Sequence, residues 1–392
     1  MKKNKFNFPL MANNILKEDI EKVKVFLSGM PVLTQSKKVS EFEKKWSKWL
    51  GVKYSIFVNS GSSANYISIA ALKIFKKKGE IITPPLTWPS DIMAVINNGF
   101  SPKFVDINLS NLSMDVDKII KSISKKTVAV FITHAQGFNG INNKLLNFLK
   151  KKKIILVEDV CESHGATYNG KKLGTFGLIS NFSFYYAHHL STIEGGMICT
   201  NDREIYEKIR MLRSHGLIRE MKNKSLINKY IKKFPHLNPE FIFSMQGFNF
   251  RNNEIGAIIG LNQLKRLDNN IKKRNSNFKY FLNKINQNNF YTDFDLKGSS
   301  NYAFNLIMRN KDKTYVKKLM KRLKDNNIEF RRGSAGGGNQ LRQPYLSKYI
   351  DKNQYKKYPI TDHVHFYGFY LGNYPDLKKN EIDFICKIIN DV

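Results

Sequence analysis

The side chains best placed to do chemistry lie in residues 157–197: Asp159, at the end of an apolar run, and His188 and His189, between an aromatic run and Gly195-Gly196. A carboxylate can hold a proton or a cation, and an imidazole can move a proton near neutral pH. The stretch also lacks something, because no lysine occurs between Lys172 and Lys208. A carboxylate left unpaired at a strand end is costly, so Asp159 needs a cationic partner. Together with Glu158, Glu162 and His164 it could suggest a metal site, but the spacing fits no usual ligand pattern and no metal is expected.

Other stretches could bind a ligand. Asn59-Ser60-Gly61-Ser62-Ser63-Ala64-Asn65 supplies a glycine, hydroxyls and a helix N-terminus, which suits a phosphate and equally an ordinary turn with its cap. Trp88, set among Pro84, Pro85 and Pro89, either stacks on a planar ligand or covers a loop as a core aromatic. Residues 333–339 are too glycine-rich for regular structure and read as a substrate loop. His215, Arg219, Arg331, Arg332, Asn339 and Arg342 are candidate substrate contacts that could equally be surface or inter-subunit pairs.

The elements that must position these groups follow from hydrophobic spacing. Short β-like runs at 54–59, 81–83, 103–105, 128–133 and 154–157 alternate with helical runs at 64–73, 90–97, 116–122 and 144–150. Such alternation predicts an α/β fold with a doubly wound, mostly parallel sheet that binds ligands at the carboxyl ends of its strands. Further strands are expected at 179–186, containing Ser183, and at 195–200. Helices at 17–27 and 39–50 precede the sheet, the second with Phe42, Trp46 and Leu50 on one face. Residues 223–239 read as a polar loop, 241–244 as strand-like, and 253–281 as one long amphipathic helix. Runs at 302–308, 313–326, 328–331 and 381–389 then give a β-α-β-α pattern. We expect a large domain over 1–262, opening with a helical segment, and a smaller α/β domain over 263–392.

At 392 residues and 42% hydrophobic, the chain has ample core for two domains and is too apolar for disorder. The N-terminal stretch is basic without the apolar block of a signal peptide, and no apolar run is long enough to span a membrane, so a cytoplasmic protein without membrane contact is expected. Cys161, Cys199 and Cys386 are too few and too scattered for a disulfide framework and read as packing residues. The net charge of +33 could attract nucleic acid. It is mostly lysine spread along the chain, however, and its clusters at 76–78 and 150–153 fall where helices end. With no recognition motif, we read the charge as solvated surface and expect no nucleic-acid partner.

Assembled in order, VNSGSSAN, EDVCESHGA, GTFGLISNFSFYY, STIEGGMICTND, RSHG and GFNFRNNEIGAIIGLNQLKRLD, with LTQSKKVSEFEKKW before them, give the chain its resemblance to a known group. It resembles the nucleotide-sugar aminotransferases, vitamin B6 enzymes with the aspartate aminotransferase fold (PLP fold type I). RQPY and GFYLGNYPDL look like the dehydratase branch of that family. The resemblance implies pyridoxal 5′-phosphate and its pyridoxamine 5′-phosphate form as cofactors. It makes Asp159 the partner of the pyridine nitrogen, so that the ring can act as an electron sink. It stacks Trp88 on the ring, sets Gly61, Ser62 and Ser183 on the phosphate, and puts Glu162 near the ring hydroxyl. Asn249 and Arg251 would reach the neighbouring subunit's site, which implies a homodimer with shared active sites.

The departure is His188, where the family's aminotransferases carry the lysine that binds the cofactor covalently. Imidazole has no primary amine and cannot form that link, but it can move protons. The resemblance then implies that an amino donor, glutamate, generates the pyridoxamine form, which condenses with a nucleotide-linked 4-keto-6-deoxy sugar. His188 removes a proton from the cofactor's C4′ carbon, the C3 hydroxyl leaves, and hydrolysis releases ammonia and a 3-deoxy sugar. A second histidine-bearing branch, acting on a CDP-linked hexulose, adds a four-cysteine iron–sulfur cluster; three scattered thiols do not provide one. An aminotransferase relative and a catalytically silent binding protein are the competing readings.

Overall fold

Runs rich in Val, Ile and Phe, such as Tyr54–Val58 and Thr127–Thr133, bury both faces and so become strands of a sheet covered by helices on either side. The structure, a computed structural model, describes residues 7–392. Helices α1 (Lys17–Ser28) and α2 (Lys37–Leu50) precede β1 (Tyr54–Val58), α3 (Gly61–Leu72), β2 (Glu80–Thr83), α4 (Pro89–Asn97) and β3 (Ser101–Phe104). Next come α5 (Val116–Ser122), β4 (Thr127–Thr133), α6 (Asn143–Lys152), β5 (Ile155–Asp159), a hairpin of β6 (Thr167–Tyr168) and β7 (Lys171–Lys172), β8 (Ile179–Ser183) and β9 (Gly196–Thr200). Helices α7 (Arg203–Arg213), α8 (Lys224–Lys233), α9 (Glu254–Gln263) and α10 (Leu267–Lys284) lead to β10 (Ala303–Ile307), α11 (Lys313–Asp325), β11 (Phe330–Arg332), α12 (Pro359–Tyr367), β12 (Gly368–Gly372) and α13 (Lys379–Asn390).

The large sheet runs β1-β9-β8-β5-β4-β2-β3, parallel except that β9 is antiparallel to both its neighbours. This is the expected α/β architecture. On one face Phe42 and Trp46 of α2 pack edge-on against Phe57, Phe182 and Phe184, each fully buried. Burying one such side chain is worth about 1.5–3 kcal/mol. The start of α2 is held by Glu254, whose carboxylate accepts from the amides of Ser36, Lys38 and Val39 at 2.8–2.9 Å. A side chain 218 residues away thus does the work of an N-cap.

Five local expectations need correction. Residues 223–239 are not only loop: Asn223 caps α8, whose Leu226, Ile227, Tyr230 and Ile231 pack toward Met211, Ile218 and Ile242 at helical spacing. Residues 241–244 make only an isolated bridge, Leu217 to Phe243. The long helix breaks between Gln263 and Leu267, where Arg266 is drawn to Asp19 at 2.6 Å and to the Asn14 carbonyl at 2.9 Å. The second sheet is antiparallel, β10-β12-β11, and its central strand β12 and helix α12 were not anticipated. β12 is buried almost throughout, so it offers no alternation to read. Lys76, Lys77 and Lys78 follow α3 rather than ending it, whereas Lys150 to Lys152 do close α6. Among the described residues no helix is long and apolar enough to cross a membrane. Residues 1–6 of the N-terminal stretch lie outside the described residues.

Candidate active site

Strand β5 separates two adjacent carboxylates, because successive side chains point to opposite faces. Glu158 is fully buried and accepts from the amides of Gly174, Phe176 and Gly177 at 2.8, 2.9 and 2.6 Å and from His134 Nε2 at 3.2 Å. That acid is saturated, and it does not converge with Asp159. Asp159, 4% exposed, receives among the described residues only the Cys161 amide at 2.8 Å and Asn65 Nδ2 at 3.1 Å. Among the described residues no ion pair reaches it. The cationic partner that its burial calls for is therefore one that a ligand could bring.

Around this acid the chain builds a rim. The N-terminus of α3, capped by Ser60, comes so close to the end of β8 that a Cβ on Gly61 would lie 2.5 Å from Ser183 Cβ. Glycine is required there, and the first turn of α3, with the exposed Ser62, meets Ser183 at a corner whose chemistry suits an anion. Trp88 is 61% exposed, so it is not the core aromatic allowed as one reading; its indole face is available to a planar ligand. The glycine-rich loop lies against the segment just before Trp88: Gln340 N donates to the Pro85 carbonyl at 2.9 Å, and a side chain on Gly336 would collide with the Thr87 carbonyl. Glu162 accepts from the Gln136 amide at 2.9 Å, and burial raises its carboxyl to about 7. Gln136, in left-handed backbone, also donates to the Ser334 carbonyl at 2.6 Å and so ties Glu162 to the glycine-rich loop. Anion corner, ring platform and unpaired carboxylate together suit a phosphorylated, protonated heterocycle.

His188 sits between Tyr185 and Tyr302, with ring centroids 6.2 and 5.6 Å away, and among the described residues its Nδ1 has no hydrogen-bond partner. Its carbonyl accepts from Asn14 Nδ2 at 3.1 Å, which fixes the loop. Burial, and then the charge of Arg274, lower the imidazole to about 3, so it is a neutral base at physiological pH. His189 Nε2 donates to the Ser300 carbonyl at 3.0 Å, and the side chain is buried. His164 is boxed by Trp46, Phe182 and Phe184 and has no hydrogen-bond partner on either nitrogen among the described residues.

The remaining candidates scatter. Asn249 and Arg251 are exposed and bond to each other at 3.0 Å, and the backbone of Arg251 bridges Val58 beside the anion corner. Arg342 is gripped by Asp362 at 2.6 and 2.8 Å and stacks on Tyr355, while Asn339 is buried and donates to the same Asp362. Arg331 meets Glu329, Arg332 reaches the Phe366 carbonyl, and Arg219 covers Phe241. His215, exposed, is in left-handed backbone after α7. Cys199 and Cys386 are buried as expected, but Cys161 is only partly so and belongs to the site. Asn65 was named only as part of the turn, and Asp91, Asn14, Arg274 and Tyr302 were not singled out; of these only Asp91 gave a signal, as the one acid in α4.

The sequence matches the DegT/DnrJ/EryC1/StrS aminotransferase family over residues 13–390. It is 31% identical over 389 residues to a GDP-4-keto-6-deoxy-D-mannose 3-dehydratase of Escherichia coli O55:H7, covering 98% of this chain and 99% of the relative. A crystal structure of GDP-4-keto-6-deoxymannose-3-dehydratase, a histidine-to-asparagine mutant with bound GDP-perosamine, superposes with a TM-score of 0.88 at 30% identity, covering 98% of this chain and 100% of that one. Another, of the same enzyme with a trapped PLP-glutamate geminal diamine, gives the same TM-score, identity and coverage. With matches across nearly its whole length, the chain belongs to the DegT/DnrJ/EryC1/StrS aminotransferase family.

Proposed function

We propose that this protein is a pyridoxal-phosphate-dependent 3-dehydratase of a nucleotide-linked 4-keto-6-deoxy sugar, with glutamate as amino donor. The observation that carries it is His188: a neutral imidazole, with no Nδ1 partner among the described residues, stands where the family's aminotransferases carry a lysine. The similarity to a GDP-4-keto-6-deoxy-D-mannose 3-dehydratase supports a GDP-linked substrate. The cofactor, when bound in its amine form, supplies a protonated ring that takes up the electron pair left when C4′ loses a proton. Asp159 holds the proton on the ring nitrogen, since a buried carboxylate with only two donors is stabilised by a cation. Trp88 orients the ring, and Gly61, Ser62 and Ser183 bind its phosphate. His188 takes the proton from C4′ and protonates the hydroxyl leaving sugar C3. Lacking an amine, it cannot hold the cofactor covalently, so the nitrogen departs as ammonia.

The same reading assigns the cofactor-holding part to residues 1–262 and the smaller part to 263–392, because the seven-stranded sheet precedes that point and the three-stranded sheet follows it. Exposed Asn249 and Arg251 beside the anion corner support a homodimer that completes each site. Three free cysteines suit the reducing cytoplasm.

The test is a panel of nucleotide 4-keto sugars incubated with glutamate and cofactor. Ammonia and a 3-deoxy sugar are expected in equal amounts, and borohydride should leave no cofactor fixed to protein. Aminosugar as the only product would refute the reading. His188→Lys should restore a borohydride-trappable adduct and abolish ammonia release.

A further inference from the structure

Behind Asp159 lies a second acid, Asp91, near the start of α4. It is fully buried, and among the described residues no cation pairs with it. Its Oδ1 accepts from Asn65 Nδ2 at 2.6 Å, and the same amide nitrogen reaches Asp159 Oδ2 at 3.1 Å and Ser90 Oγ at 3.2 Å. Its Oδ2 contacts the Thr87 hydroxyl, and the Thr133 hydroxyl at 2.8 Å. The two threonine hydroxyls are themselves 2.8 Å apart.

The last three contacts form a triangle, and its protons can be counted. An ionised Asp91 leaves two hydroxyl protons for three contacts, so one pair of oxygens would face each other with no proton between them. A protonated Asp91 supplies the third proton. The acid then donates to Thr87, Thr87 to Thr133 and Thr133 back to Oδ2, a closed ring with one hydrogen bond per edge.

We infer that Asp91 is a positioning residue, a neutral carboxylic acid that locks the Asn65 amide onto Asp159 and leaves Asp159 as the one negative charge facing the ring nitrogen. The functional part rests on the assignment of Asp159 above. The other titratable groups facing Asp91 are Asp159 and Cys161 from the end of β5 and Tyr345 from the loop after the glycine-rich segment; none is a cation. Burial, and then Asp159, push Asp91 well above the usual carboxylate range, in agreement with the proton count. An ionised Asp91 would compete with Asp159 for the ring proton and for the Asn65 amide.

The experiment compares full-length wild type with Asp91→Asn, Asp91→Ala and Asp159→Asn. Infrared difference spectra of the cofactor-free proteins at pH 7.5 (a working pH within about a unit of neutrality) should show one protonated carboxylic-acid band present in wild type and lost in Asp91→Asn. Loss of an ionised-carboxylate band instead overturns the proposal. In cofactor titrations followed by Trp88 fluorescence, the neutral Asp91→Asn should bind pyridoxal phosphate within about threefold of wild type, and Asp91→Ala about tenfold more weakly. The pH at which the bound cofactor's absorbance changes should move in Asp91→Ala and stay in Asp91→Asn. Equal impairment of both variants, or of neither, overturns the positioning role. If Asp159→Asn leaves cofactor spectrum and ammonia release unchanged, the assignment of Asp159 fails, and the infrared band still decides the state of Asp91 alone.

Discussion

The two faces of β5 carry consecutive acids with opposite fates. Glu158 is wrapped by three backbone amides and His134, and His134 is itself matched, since the Gly140 amide donates to its Nδ1 at 3.1 Å. Asp159, one residue on, has two donors among the described residues. Both acids are buried, so burial alone does not mark a functional group. The difference lies in how completely the fold meets each group's hydrogen-bonding capacity: one is finished by the protein, and the other needs something the protein does not supply.

Perturbing either face should therefore read out in a different observable. Asp159→Ala is expected to lower turnover about a thousandfold while changing the stability of the cofactor-free protein by less than about 1 kcal/mol. Steady-state kinetics and urea unfolding check both halves, and a large loss of stability would make the two acids alike. Glu158→Ala should do the reverse, costing about 3 kcal/mol by stranding buried amides, while the folded fraction keeps its kcat.

The histidines give a pH version of the same contrast. His164 and His189 are held well below the ordinary imidazole value by burial, and His188 is lowered to about 3. A depressed imidazole binds its proton in the unfolded chain first, so stability should be full above about pH 6.5 and fall on acidification toward the folded values. Each group contributes at most about 1.4 kcal/mol per pH unit. His164→Phe should flatten that fall in a pH series of urea unfolding curves, and an unchanged slope would mean that His164 is not the group lost. On the ligand side, Trp88→Ala should weaken cofactor binding about tenfold without moving the melting temperature, since the indole packs little in the protein itself. The smallest effect is expected from Asn14→Ala, about 1 kcal/mol in kcat/KM with cofactor affinity unchanged, because only the bond to the His188 carbonyl is lost.

Local spacing alone placed the alternation of strands and helices, the amphipathic α2, Asp159 at a strand end and the turn at Gly61. Each of these depends on periodicity or on residues adjacent in sequence, which a chain carries wherever it folds. The ordered motifs and the histidine in place of lysine pointed to the chemistry. Tertiary structure alone decided that Trp88 is exposed, that α9 and α10 separate at Arg266, that Arg342 is bound to Asp362, and that β12 lies between β10 and β11. It also brought Asn65, the Thr87–Asp91 stretch and Thr133, from three different segments, together beside Asp159. Whether a buried acid keeps its charge depends on the donors around it, and those donors come from segments up to 94 residues distant that meet only when the sheet closes.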